Sequence, residues 1–162
     1  MTDFLNKLTS YNLFNNLLPG ILYVVFLNHF TEYKVSQDNL LLSAFLYYFI
    51  GLTISRISSI TVEPFLKRIK FVTFRDYKLF VIANQKDSKL DVLVETNNKF
   101  RVLLTMILLV LLSKFFYSLN LNFLKFSLDL QQYFLLIFIA IIYLFAYRKQ
   151  TNYVTKRIDV NN

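Results

Sequence analysis

Apolar residues gather in long, nearly unbroken stretches separated by polar ones, and that pattern predicts helices of membrane-crossing length. Leu40 to Ile60 reads LLLSAFLYYFIGLTISRISSI, VLLTMILLVLLSKFFYSL follows Arg101, and YFLLIFIAIIYLFAY ends at Arg148 and Lys149. About 20 apolar residues suffice to cross roughly 30 Å of hydrocarbon. Near the start, Phe4, Leu5, Leu8, Tyr11, Phe14, Leu17 and Leu18 recur at helical spacing, with Asn6, Lys7, Thr9, Asn12 and Asn16 largely opposite. Such a segment can lie along the headgroups. Pro19 and Gly20 then mark a turn or kink before ILYVVFLNHF. The expected fold is all-α: one integral membrane four-helix bundle over 1–162, with spans at about 13–31, 40–61, 102–119 and 132–147.

The polar stretch 62–101 is expected to be a helical segment in the cytoplasm, between spans two and three. Glu63-Pro64 punctuates the exit of the second span, because a residue before proline avoids the α region and proline suits the first turn of a new helix. Thr73 to Asp76 and Ser88 to Asp91 fit the capping-box pattern, so helices are expected to start near residues 74 and 89. Asp38 or Asn39 is a plausible N-cap for the second span, and Asp129 to Gln132 repeats the box before the fourth. Nothing breaks the helix between Lys89 and Leu112, and Glu95 precedes Lys99 by four residues in the favourable order. A rigid stalk carrying Asp91, Glu95, Lys99 and Arg101 should therefore run straight into the third span. Ser118 to Gln132 is expected to be an outer connection, and QTNYVTKRIDVNN a polar tail.

Composition agrees with the pattern. Of the 162 residues 56% are hydrophobic and 17% charged, against about 45–50% and about 25% in ordinary soluble domains. The mean hydropathy is +0.45. Only Lys7 precedes the first apolar run and no small-residue cleavage pattern follows it, so a signal peptide is not expected.

The formal charge of +8 first suggests a nucleic-acid partner, but its distribution gives a topological reason for it. Nine bases lie in the middle segment (Lys67, Arg68, Lys70, Arg75, Lys78, Lys86, Lys89, Lys99, Arg101) and four in the tail (Arg148, Lys149, Lys156, Arg157). Lys7 joins them, and Lys34, Lys114 and Lys125 fall on the other side. The positive-inside rule then places both termini and the middle segment in the cytoplasm. Anionic lipid attracts a basic amphipathic turn at about 1 kcal/mol per base, which accounts for Lys67, Arg68 and Lys70. With Arg75 and Lys78 these are candidate contacts for lipid or a cytosolic protein partner. Nucleic acid or nucleotide binding is disfavoured because Asp76, Asp87, Asp91 and Glu95 are interspersed.

Catalytic chemistry finds few residues. There is no cysteine for a disulfide, thiolate or thiol nucleophile, and His29 is the only histidine. With only Gly20 and Gly51, no glycine-rich phosphate loop can form. No catalytic, metal or cofactor site is expected. Arg56 and Glu63, seven residues apart and sharing a face if the helix persists, are a candidate gate or coupling pair; their place at a span's end favours the alternative, a snorkelling arginine and an interfacial acid that fix helix depth.

The segments YNLFNNLLPG, GLTISRISSITVEPFLK and LVETNNKFR resemble those of small bacterial multi-pass membrane proteins of anti-phage defence loci. The resemblance implies a protein of the bacterial inner membrane that perturbs the bilayer when a cytosolic sensor fires. The expected function is a non-enzymatic, homo-oligomeric effector or channel-like component controlled through 62–101; the alternative is an anchor that docks a cytosolic partner.

Overall fold

The computed structural model describes the backbone of residues 2–35, 38–119 and 126–161, and the side chains among these from Asn15 onward apart from those of 126–129. Six α-helices occupy these residues: α1 (Thr2–Phe30), α2 (Leu40–Ile57), α3 (Glu63–Arg68), α4 (Tyr77–Lys86), α5 (Lys89–Leu119) and α6 (Phe126–Asn161), with a π-helical turn, Ser58–Val62, joining α2 to α3. Among the described residues there is no strand. Three helical stretches are long and apolar enough to cross a membrane: Leu40–Arg68, Lys89–Leu119 and Leu130–Asn161. The expected first span lies in α1, whose side chains before Asn15 fall outside those described, as does the amphipathic pattern read from Phe4 to Phe14.

α5 is the central helix. It packs against α1, α2, α4 and α6, while α1 pairs with α2. Its buried side chains run from Leu90 and Asn97 through Val102 and the consecutive Leu104, Thr105, Met106 and Ile107 to Val110 and Lys114. That is the pattern of a helix buried along much of its length. Around it Leu66, Leu136, Ala140 and Tyr147 close the main core. Outward-facing aromatics on α2 and α6, such as Phe45, Phe49, Phe134 and Phe138, are exposed, as suits side chains turned to lipid.

Several local expectations change. α1 continues through Pro19 without a turn, and the next residue, Gly20, lies against the backbone of α2. Glu63-Pro64 does not end the second helix, because the chain is already π-wound there and the Glu63 N–H reaches back to the Ser58 carbonyl. The helix therefore runs on to Arg68. It ends in a Schellman motif: Lys70 N–H donates to the Lys67 carbonyl (3.0 Å), Phe71 N–H to the Leu66 carbonyl (2.9 Å), and Lys70 takes φ 55°.

The expected cap of α2 is present, with Asn39 Oδ1 accepting from Leu41 N (2.9 Å) and Leu42 N (3.2 Å). α4 begins at Tyr77, with Asp76 at the cap position making no side-chain cap bond. α5 begins at Lys89 as expected, but Asp87 supplies the acceptor for Lys89 N (3.1 Å), not Ser88. α6 begins at Phe126, a turn before the Asp129 box, so the connection after α5 is shorter than Ser118 to Gln132; residues 120–125, Lys125 among them, lie outside the described residues.

The largest revision concerns the tail. Gln150 to Asn161 is helical and completes α6. At 31 and 36 residues, α5 and α6 are roughly 46 and 54 Å long, well beyond a 30 Å hydrocarbon core. Their polar ends meet α4 in a second core of Ala83, Leu90, Val154 and Ile158, flanked by Leu79, Phe80, Leu93 and Val94. The basic middle segment and the tail thus form one packed module at the polar end of the bundle.

Candidate functional site at the polar junction

Arg101 sits where the polar module meets the apolar helices. Its guanidinium donates from Nε to Ser58 Oγ (3.1 Å) and pairs through Nη1 with Glu63. The π turn explains the first partner: Ser58, wholly buried, is the residue at which α2 widens. Glu63 also holds Lys67, four residues on, at 2.6 Å. An Arg–carboxylate pair on the bundle wall, only 12% and 18% exposed, is much less screened than one in water.

Arg56 is not the partner of Glu63. The i→i+5 turn between them rotates the downstream face, so that Glu63 turns to α5 while Arg56 remains exposed and, among the described residues, makes no ion pair. Arg56 lines a polar hollow of about 320 Å³ with Asn15, Asn16, Glu95, Lys99 and Arg101. Three bases and one carboxylate give this hollow a positive balance. Glu95 pairs with Lys99 at 3.3 Å, as the four-residue spacing predicts, and accepts from Asn15 Nδ2 of α1. On the other side of Arg101 a second hollow is lined by Glu63, Lys67, Arg75, Phe80 and Asn97. Arg56, Glu63 and the stalk residues Glu95 and Lys99 therefore gather around Arg101, with Asp91 apart from them, exposed in the first turn of α5.

The candidate lipid or partner contacts do not share one role. Lys67 is held by Glu63 and lies 4.4 Å over the Phe74 ring. Arg75 is bidentate to Asp159, both bonds 2.7 Å, so it ties the linker before α4 to the end of α6. Arg68, Lys70 and Lys78 are exposed. Two contacts fasten the module further: Arg157 to Asp87, and Thr151 Oγ1 to Asn97 Oδ1 at 3.0 Å, both Thr151 and Asn97 being buried. The Arg157 guanidinium, helped by the Lys89 N–H, holds the Asp87 carboxyl below the usual carboxylate range.

Lys114 is expected from the charge distribution to stand among the bases of the outer side. It is 1% exposed, and its ammonium donates to the Phe30 carbonyl (3.4 Å) and to Gln132 Oε1, with the Tyr133 ring 5.1 Å away. It joins the end of α1 to α6 through α5. Its position inside an apolar run carries the signal, because a charge there faces the bundle interior far more often than lipid. His29 packs edge-to-face on Phe30 at 4.9 Å.

Comparison with family models, with curated proteins and with solved structures finds no match.

Proposed function

We propose that this chain is a non-enzymatic membrane effector or channel-like component, whose cytoplasmic module controls four spans. In this reading α1 is the first span, both termini and the module face the cytoplasm of a bacterial cell, and several copies assemble. The observation that carries it is the unbroken passage of α5 and α6 from the polar module into the apolar bundle, with Arg101 clamping α5 to the π turn of α2. A load applied to α4 or to the end of α6 reaches the spans as a rigid-body motion. Conduction requires more than one copy, since four apolar helices have too little polar surface to line a pore.

The test is membrane potential, read with a voltage-sensitive dye during overproduction or triggering. The wild-type chain should collapse it, whereas Arg101→Gln and Lys99→Pro should insert at near-normal abundance and leave it intact. A potential that persists with wild-type protein at full abundance would sink the effector reading.

The second reading is an anchor for a cytosolic partner. It is favoured by the module's own core together with exposed apolar side chains at its surface, Tyr77, Val92 and Val160. Stable recruitment of a soluble protein, lost on Tyr77→Ser, with the potential intact would select it.

A further inference from the structure

An apolar cleft of about 710 Å³ opens between the π turn and α3 on one side and α5 and α6 on the other. Its walls include Phe65, Leu66, Leu108, Ile137, Ala140 and Leu144, and apart from Thr61 every lining side chain is hydrocarbon. The volume is that of a site for a small organic molecule, normally about 300–1,000 Å³. Such sites usually carry a few polar groups to orient the ligand, and here they stand outside the cleft.

Along α6, one turn beyond Leu144, a second hollow of about 350 Å³ is lined by Arg148, Lys149 and Lys156 with Asn152 and Tyr153. No carboxylate lines it, and among the described residues none of these three bases makes an ion pair. Phe71 joins the two. It lines the cleft, lies 6.0 Å from the Phe145 ring, and carries the Arg148 guanidinium 4.8 Å above its own ring. Apolar cleft, aromatic step and cationic hollow therefore follow one another along the helices, with the charge at the polar end.

We infer that this is a binding site for one anionic diacyl phospholipid, with an acyl chain in the cleft and its phosphate on Arg148, Lys149 and Lys156. The order of the parts matches the order of the ligand. The cleft walls belong to the apolar stretches, where hydrocarbon is the surrounding medium, and the bases stand where those stretches give way to polar sequence. A neighbouring copy's apolar helix would fill the cleft but leave the bases uncovered. A soluble phosphate would occupy the bases and ignore the cleft. The site depends only on membrane insertion and is independent of whether the protein is an effector or an anchor.

The experiment is native mass spectrometry of the full chain in mild detergent, titrated with phosphatidylglycerol or phosphatidylcholine. One phosphatidylglycerol should bind per chain in preference to phosphatidylcholine. Ala140→Phe fills the cleft and should weaken both lipids at least tenfold, since excluding two methylenes is already worth about that. The double variant Arg148→Gln, Lys149→Gln should retain phosphatidylcholine and lose phosphatidylglycerol about 25-fold, roughly fivefold per base. If Ala140→Phe fails to fold, Leu108→Trp at the exposed rim tests the same volume. Equal wild-type affinity for the two lipids, unchanged phosphatidylglycerol binding when the cleft is filled, or displacement of the lipid by inorganic phosphate would each overturn the assignment.

Discussion

Gly20 of α1 and Gly51 of α2 lie against each other's helix backbone. A Cβ at Gly20 would fall 1.8 Å from the Tyr47 carbonyl oxygen, and one at Gly51 1.6 Å from that of Asn16. Helices in lipid associate through such close approach, because hydrocarbon solvent offers no hydrophobic gain for contact. Gly51→Ala must push two backbones apart, where no side chain can rotate away. We expect a loss at the upper end of the overpacking range, about 3 kcal/mol, with a lower melting midpoint in detergent and earlier proteolysis of α1. Ala44→Leu, on the exposed side of α2, should change neither.

The polar module should loosen in acid before the apolar helices do. The folded pKa of Asp87 is depressed, chiefly by Arg157, so its contribution is present above the unfolded value of about 3.9 and is lost as pH falls through the folded one. Amide exchange in α4 and in the last three turns of α6 should accelerate below about pH 4, while the apolar part of α5 stays protected. Asp87→Asn should give the faster exchange already at neutral pH and weaken this pH dependence, leaving the part carried by Asp159, whose carboxyl is likewise held down by Arg75. High salt should reproduce part of the effect, because the pair is solvent-accessible.

Lys114 tests whether a buried cation contributes stability or geometry. Its bonds to the Phe30 carbonyl and Gln132 are worth about 1.5–3 kcal/mol each. The effective penalty of burying the ammonium is several kcal/mol, so the two nearly cancel. Lys114→Met should therefore leave the melting midpoint almost unchanged, yet raise amide exchange around Phe30 to Val35, where α1 loses its tie. Lys114→Glu sets a carboxylate against two oxygen acceptors and should prevent accumulation of folded protein. A large loss of stability in Lys114→Met would show that the cation is a net stabiliser.

Lys70 occupies the left-handed position of the Schellman motif, where glycine is the usual residue. An L-residue there costs about 1–2 kcal/mol, and glycine gives back part of that through its greater unfolded-state freedom. Lys70→Gly should stabilise the protein by about 0.5–1 kcal/mol in chemical denaturation. Lys70→Val, β-branched at the same φ, should destabilise it.

The residue pattern alone dictates a helical chain rich in membrane-length apolar runs, the start of the stalk helix, an N-cap at Asp38 or Asn39, and the Glu95–Lys99 pair. All of these rest on local periodicity, on capping within a few residues, or on spacing along one helix. Tertiary structure alone decided what lies against what. The two glycines, too few for a phosphate loop, mark the close approach of α1 and α2, since close approach of backbones is a property of a pair of helices. Glu63 took Arg101 in preference to Arg56 because one π turn rotated the face, and a shift of a single residue leaves no mark in composition. The polar tail became the end of α6 because Tyr147, Thr151, Val154 and Ile158 recur at i, i+4, i+7 and i+11. That heptad was present in the letters, but only the matching stripe on α4 and α5, with Asn97 opposite Thr151, gave it a surface to bury against. A charge such as Lys114 is legible as costly from sequence, yet its partners are 84 and 18 residues away, and only folding brings them to it.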